Sequence, residues 1–275
     1  MQVIETQGMR MPKLGLGTWR MSGRDCTKAV AGALGRGFRH IDTAQMYGNE
    51  AEVGAGIAAG GVPRADIFVT TKVGSANLAP DAVRRACDAS LKALKTEYVD
   101  LYLIHWPTAT MDLRATLDAM VKLRDAGKIR HVGVSNFTVA LMRQAIEEIG
   151  APVVCNQVEY HVLLGQSRVL AYARSKGVAI AAYCPLARGG LGDVRALAGI
   201  AKKHHATAEQ VALKWLLGQD FVSAIRKASR PENQQANLDA FKISLDDADR
   251  AVIAALPKNE RIVNLATAPA WDPPD

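Results

Sequence analysis

Apolar and polar positions along the chain follow two alternating patterns. Short, near-continuous apolar runs such as Val99–Ile104 and Val178–Ala182 alternate with longer stretches of helical period. Val83, Cys87, Leu91 and Leu94 recur every three to four residues. So do Leu113, Leu117, Met120 and Val121, and then Leu141, Ala145, Ile146 and Ile149. Such spacing gives a helix one apolar face. Pro80-Asp81 reads as a helix start and Gly127 as a helix stop. The β-prone runs are Gly15–Thr18, Phe38–Asp42, Ile67–Lys72, Val99–His105, His131–Ser135, Val153–Gln157, Val178–Tyr183 and Phe221–Arg226. Runs without alternation suit parallel strands covered by helices. Eight strand–helix alternations in this length predict one α/β domain over 1–275, a closed (β/α)8 TIM barrel.

Two segments stand outside the repeat. Residues 1–13 read as a hairpin: a strand at Val3–Thr6, a turn at Gly8 and a second short strand. Residues 257–275 hold four prolines and no periodicity, which predicts a C-terminal covering tail. A doubly wound sheet is the rival architecture, but it wants a Gly-rich dinucleotide turn after an early strand. Gly15-Leu16-Gly17 lacks the third glycine at the right offset. These glycines read instead as a place where the first strand passes close to another backbone.

Composition narrows the function classes. Hydrophobic residues make up 49% of 275, enough for a sizeable core. No apolar run approaches the ~18 residues of a membrane span, and the N-terminus lacks an apolar signal core. The expectation is a cytoplasmic protein with no membrane partner. Cys26, Cys87, Cys155 and Cys184 form no CxxC pair and no zinc-spaced cluster, so they read as reduced thiols, with no metal site. The net charge is +7, from 34 Lys and Arg against 27 Asp and Glu. The basic residues are scattered, which fits a phosphate-bearing small molecule better than a nucleic acid.

The barrel rule places chemistry at the C-terminal ends of strands. It selects Asp42, with Tyr47 in the loop after it, then Lys72 and His105. Singly, each has a structural reading: a helix cap, a packed loop ring, a solvated strand end, a structural histidine. Together they are complementary. A phenol titrates near ~10, and an ammonium beside it favours the phenolate. Lys72 can supply that ammonium, Asp42 can hold it charged, and His105 can hydrogen-bond a substrate oxygen. The group is a tuned proton donor beside a carbonyl site. Reduction also needs hydride, which no side chain supplies, so a nicotinamide cofactor is implied.

These residues lie in motifs that resemble the aldo-keto reductase family over essentially the full length. The motifs are GLGTW at 15–19, HIDTAQMYGNE at 40–50, TTKV at 70–73, YVDLYLIHWP at 98–107, GVSNF at 133–137 and NQVEYH at 156–161. With ERIVNLATAPAWD at 260–272, the chain is most similar to the short-looped bacterial branch of 2,5-diketo-D-gluconate and methylglyoxal reductases. The resemblance implies a catalytic tetrad of Asp42, Tyr47, Lys72 and His105. It implies Ser135, Asn136 and Gln157 at the nicotinamide carboxamide, Tyr183 stacked on its ring, and Cys184, Pro185 and Leu186 in a pyrophosphate loop running to Gly190. Trp19, Met46, Trp106 and Trp271 are implied as substrate-pocket walls.

At the adenosine phosphate the chain departs from the family pattern of Ile-Pro-Lys-Ser, then Arg, then Glu-Asn. It has Ile225-Arg226-Lys227-Ala228, then Asn233, then Ala236-Asn237. Lys227 and Asn237 remain, and Lys227 with Arg226 or Arg230 can neutralise a 2′-phosphate. NADPH is therefore the expected cofactor, with NADH left open. The expected partner is a small carbonyl substrate, such as a 2-oxoaldehyde or keto-sugar, acted on by a monomer. Two other classes are weighed beside reduction: a non-catalytic nicotinamide-binding regulatory protein, and a barrel lyase with Lys72 as Schiff base.

Overall fold

The computed structural model describes residues 2–192 and 194–273. Pro274 and Asp275, the end of the expected tail, lie outside the described residues. Eight parallel strands close a barrel: β3 (Leu14–Gly17), β4 (His40–Asp42), β5 (Phe68–Val73), β6 (Val99–Ile104), β7 (Ile129–Ser135), β8 (Val153–Glu159), β9 (Ala179–Tyr183) and β10 (Val222–Lys227). Each pairs with its sequence neighbours, and β10 closes onto β3 with Ala224 opposite Leu14. The expected barrel is thus present, each strand within about two residues of its predicted ends.

An antiparallel hairpin, β1 (Val3–Thr6) and β2 (Met9–Pro12), precedes the barrel. Its Gln7-Gly8 tip has both φ values positive, 46° and 77°, as a two-residue turn matching strand twist requires. The hairpin seals the N-terminal end of the barrel. Ile4, Met9 and Met11 are buried with Phe68, Leu101, Leu103, Cys155, Ala181 and Ile225 in a core inside the strands. Thr6 Oγ1 and Gln7 Nε2 both donate to the carbonyl of Gly177, at 2.6 and 2.9 Å, just before β9. The opposite end of the barrel is left uncovered by the hairpin.

The helices bury the faces their periodicity predicts. In α3 (Pro80–Leu94), Val83, Cys87, Leu91 and Leu94 are buried, and Pro80 opens the first turn. In α4 (Leu113–Asp125), Leu117 and Met120 are buried, and Gly127 follows at φ 75°. The stretch around Leu141 differs. A five-residue α5 (Val139–Arg143) runs into a π-helical turn, Gln144–Glu148. There Met142 and Ala145 are buried, and Leu141, Ile146 and Ile149 only partly so. Two helices lie outside the eight-fold repeat, α7 (Arg195–Lys203) and α10 (Asp247–Ala254), with α1, α2, α6, α8 and α9 completing the ring at Gly23–Gly35, Glu50–Ala59, Ser167–Ser175, Ala208–Leu217 and Pro231–Asp239. Among the described residues, no helix is long and apolar enough to cross a membrane.

The glycines of β3 make room for side chains more than for backbone. A Cβ at Gly15 would sit 2.7 Å from Ile225 Cδ1 and 2.9 Å from His40 Nδ1, and one at Gly17 would sit 3.1 Å from Ile225 Cγ2. The expected close approach is real, but its main partners are Ile225 and His40.

Candidate active site

The strand ends bring Asp42, Lys72 and His105 to the C-terminal mouth, and the loop after β4 folds Tyr47 back over them. That loop is held at three points. Gln45 Oε1 accepts from Gly74 N at 3.0 Å and Asn77 Nδ2 at 3.1 Å. Asn49 Nδ2 donates to the carbonyls of Thr18 and Met21 at 2.8 and 2.9 Å, while its Oδ1 accepts from Thr43 Oγ1. Behind it, the buried Glu50 carboxylate accepts from Thr71 Oγ1 and Ser90 Oγ at 2.5 and 3.0 Å. Gly48, in the left-handed region at φ 65°, lets the chain turn into α2 directly after Tyr47. Gln45, Asn49 and Glu50 thus hold the loop that carries Tyr47, and strand-end reasoning does not select them.

At the centre is a wholly buried ammonium. Lys72 Nζ donates to Asp42 Oδ1 at 2.6 Å and to the Thr43 carbonyl at 2.7 Å, with Tyr47 Oη at 3.5 Å. Gln157 Nε2 donates to the other Asp42 oxygen at 2.7 Å. Burial pulls Lys72 toward the neutral amine, but Asp42 and Tyr47 outweigh it and raise its pKa. A lysine held charged this firmly is a poor nucleophile, which disfavours the Schiff-base reading.

Tyr47 departs from the simple expectation. Burial of the hydroxyl pushes its pKa above the ordinary phenol range, and the opposing pull of Lys72 does not cancel that. The hydroxyl therefore keeps its proton at neutral pH. Its ring meets His105 edge to face, centroids 5.6 Å apart. Burial first, and then the charge of Lys72, draws His105 down to about 3, so its imidazole is neutral. Its Nδ1 is buried without a partner among the described residues. A carbonyl oxygen beside these two side chains would meet one hydroxyl donor and one neutral imidazole.

His40, deeper in the barrel against Thr70 Oγ1 at 3.0 Å, is likewise drawn to about 4 by burial. The sign follows for stability. The unfolded chain binds protons that the two folded histidines refuse, so stability is full above about pH 6.5 and falls with pH toward those lower values. Urea midpoints should drop between pH 6.5 and 4, and His40→Asn should flatten the slope. An unchanged slope would place the acid sensitivity elsewhere.

The residues expected around a nicotinamide adjoin this group. Ser135 Oγ donates to the Gln157 carbonyl at 2.8 Å, and Asn136 Nδ2 to the His105 carbonyl at 3.0 Å. Tyr183 Oη donates to Asn136 Oδ1 at 2.8 Å. After β9 the chain turns through positive φ at Cys184, Ala187, Arg188 and Gly189, with Pro185, Leu186 and Ala187 buried. At the end of β10, Lys227 Nζ reaches the Arg20 carbonyl at 3.2 Å and Arg230 is exposed. Arg226 Nε and Asn237 Nδ2 are buried with no partner among the described residues. Unsatisfied donors beside two exposed cations suit a phosphate-bearing nucleotide.

The expected pocket walls are dispersed around the mouth. Trp106 is buried and meets Trp271 edge to face at 6.1 Å. Trp19 and Met46 are exposed. Trp19 is flanked by the guanidinium carbons of Arg20 at 4.3 Å and Arg188 at 4.9 Å.

Comparisons with known proteins identify the family. The profile of the aldo/keto reductase family matches residues 13–258. Methylglyoxal reductase DkgB of Escherichia coli O157:H7 is 40% identical over 268 residues, 96% of this chain and 100% of that protein. The crystal structure of a proposed 2,5-diketo-D-gluconic acid reductase B superposes with a TM-score of 0.96 at 41% identity, covering 99% of this chain and 98% of that one. MGS-M4, an aldo-keto reductase from a Medee basin deep-sea metagenome library, gives 0.90 at 37% identity, covering 94% and 95%.

Proposed function

The chain belongs to the aldo/keto reductase family, and on that premise we propose that it reduces small aldehydes and ketones with hydride from NADPH and a proton from Tyr47. It is an oxidoreductase acting on carbonyl compounds. The observation that carries the finer reading is the contact of one buried ammonium, Lys72, with both Asp42 and Tyr47. When bound, the nicotinamide supplies hydride to the carbonyl carbon.

The chain's own residues do the rest. Tyr47 Oη gives its proton to the carbonyl oxygen, and neutral His105 holds that oxygen. Lys72, kept charged by Asp42, stabilises the phenolate that remains. Ser135, Asn136, Gln157 and Tyr183 would hold the nicotinamide end. The backbone from Cys184 through Pro185 and Leu186 would hold the pyrophosphate, and Lys227, Arg230 and Asn237 the adenosine phosphate. Trp19, Met46, Trp106 and Trp271 would border the substrate. The relatives are named for methylglyoxal and 2,5-diketo-D-gluconic acid. We infer that 2-oxoaldehydes and keto-sugars are the compounds to try first. A cofactor-oxidation screen of them with NADPH and NADH tests the proposal, and no turnover with either cofactor would refute it.

Cofactor choice should rest on Lys227. NADPH carries a 2′-phosphate that NADH lacks, and a charge-assisted hydrogen bond is worth about 1.5–3 kcal/mol. Lys227→Ala should weaken NADPH roughly tenfold or more, at ~1.4 kcal/mol per factor of ten, and spare NADH. Dissociation constants for both cofactors check this. Equal weakening would assign Lys227 to a part of the molecule the two cofactors share.

A further inference from the structure

Gln157 reaches across the inside of the barrel. It stands near the end of β8, four strands round the ring from β4. Its Nε2 nevertheless donates to Asp42 Oδ2 at 2.7 Å, a bond between residues 115 apart in sequence. Both side chains are buried. The Gln157 backbone is fixed from β7: its carbonyl accepts from Ser135 Oγ and from Asn136 N, each at 2.8 Å. Among the described residues no group donates to Gln157 Oε1. One end of the amide is committed to the ion pair, and the other has no protein partner.

From that amide the contacts run in one line. Asp42 Oδ1 accepts from Lys72 Nζ at 2.6 Å, and Lys72 Nζ donates to Tyr47 Oη at 3.5 Å. Buried hydrogen bonds in a chain polarise one another. The Asp42 charge holds Lys72 protonated and acts directly on Tyr47. How much of it reaches them depends on its sharing with the Gln157 N–H. Orientation depends on that bond as well. A carboxylate held at one oxygen can turn about its Cβ–Cγ bond, and a second partner fixes its plane.

Other titratable groups face this line from the surrounding elements. Burial holds His105 after β6 down to about 3 and His40 in β4 down to about 4, and pushes Cys155 in β8 up to about 12, so all three are uncharged near neutral pH. Burial also raises Tyr183, Cys184 and, behind β5, the Glu50 carboxyl. The wild-type enzyme and every Gln157 variant share these groups.

We propose that Gln157 is a positioning residue for proton transfer as well as a cofactor contact: it holds Asp42 so that Lys72 is set toward Tyr47, and it joins the nicotinamide carboxamide site to the proton donor. The proposal rests on proton donation by Tyr47. Gln157 touches neither the proton nor the carbonyl and acts through Asp42.

The test separates the two ends of the amide. Cofactor contact is read as the NADPH dissociation constant. Proton transfer is read as the single-turnover rate with methylglyoxal at saturating substrate and cofactor. Gln157→Met keeps the length and loses both polar ends. It should weaken NADPH and also slow the single turnover by ~10-fold, the low end for a hydrogen bond to a charged group. In an Asp42→Asn background it should still weaken NADPH but change the rate little, because the charge it held is gone. An unchanged rate with Asp42 present, or the same fold-loss in both backgrounds, overturns the proposal; Gln157 would then serve the cofactor alone. Gln157→Glu gives an independent readout should the methionine variant not fold. Protonated, its carboxyl still donates to Asp42; ionised, it faces Asp42 as a like charge. Its rate should approach the wild-type rate at acid pH and fall away as the new carboxyl ionises. A profile parallel to wild type at every pH also overturns the proposal. Retained turnover in Tyr47→Phe would count instead against the reading on which it rests, whatever the Gln157 variants do.

Discussion

Tyr47→Phe is expected to lower kcat for carbonyl reduction by at least ~100-fold, the low end for losing a general acid, while cofactor affinity changes little. Phe keeps the ring that packs edge to face on His105, so the mouth should hold its shape. What disappears is the hydroxyl 3.5 Å from Lys72 Nζ. Its pKa is raised by burial against the pull of Lys72, so the wild-type group carries its proton throughout the neutral range. His105 cannot replace it: burial holds its pKa down to about 3, and a neutral imidazole is a far weaker proton donor than an imidazolium. Steady-state turnover at saturating substrate and cofactor, with a fluorescence titration of cofactor, checks both halves. Near-normal turnover would show that the proton comes from elsewhere.

Lys72→Met should cost both activity and stability, and the two losses can be separated. Lys72 is fully buried, and it is the charged partner of Asp42. Removing it leaves the Asp42 carboxylate buried with the Gln157 amide as its remaining side-chain partner. Breaking a buried pair in this way costs about 3–5 kcal/mol. The same change removes the influence that pulls the Tyr47 pKa down. The phenol becomes a weaker acid, and the alkaline limb of the rate profile moves upward or out of range. In the double variant Asp42→Asn with Lys72→Met the orphan charge is gone, so much of the stability should return. Activity should not. Urea unfolding and turnover across the three proteins measure this. Recovery of turnover in the double variant would reduce Lys72 to a structural ion-pair partner.

Much of this architecture is legible in the chain. Strands buried on both faces read as unbroken apolar runs, and α3 and α4 read as stripes, because burial acts directly on those patterns. The grouping of Asp42, Lys72 and His105 is legible because successive barrel strands end at one mouth, which brings their last residues together. What escapes depends on contacts far apart in sequence. The π-helical turn after α5 leaves no signature in the apolar period. The supports of Tyr47, from Gln45 to Asn77 and from Asn49 to Thr18, have no local signature. Glu159 reads as a polar residue in a motif until it is seen to carry the tail by two backbone amides. The direction of the Tyr47 shift is of the same kind. The neighbouring ammonium is predictable, but the depth of burial that outweighs it is a property of the fold.

The most direct measurement of the central claim follows one atom. Methylglyoxal is reduced with NADPH carrying deuterium at C4 of the dihydronicotinamide, and the alcohol is examined by mass spectrometry and proton NMR. The account predicts deuterium on the new carbinol carbon, delivered from one face of the cofactor, and in Tyr47→Phe far less product, with the label still on that carbon in whatever forms. A product alcohol without deuterium on that carbon, or a substrate trapped on Lys72 by borohydride, would contradict it.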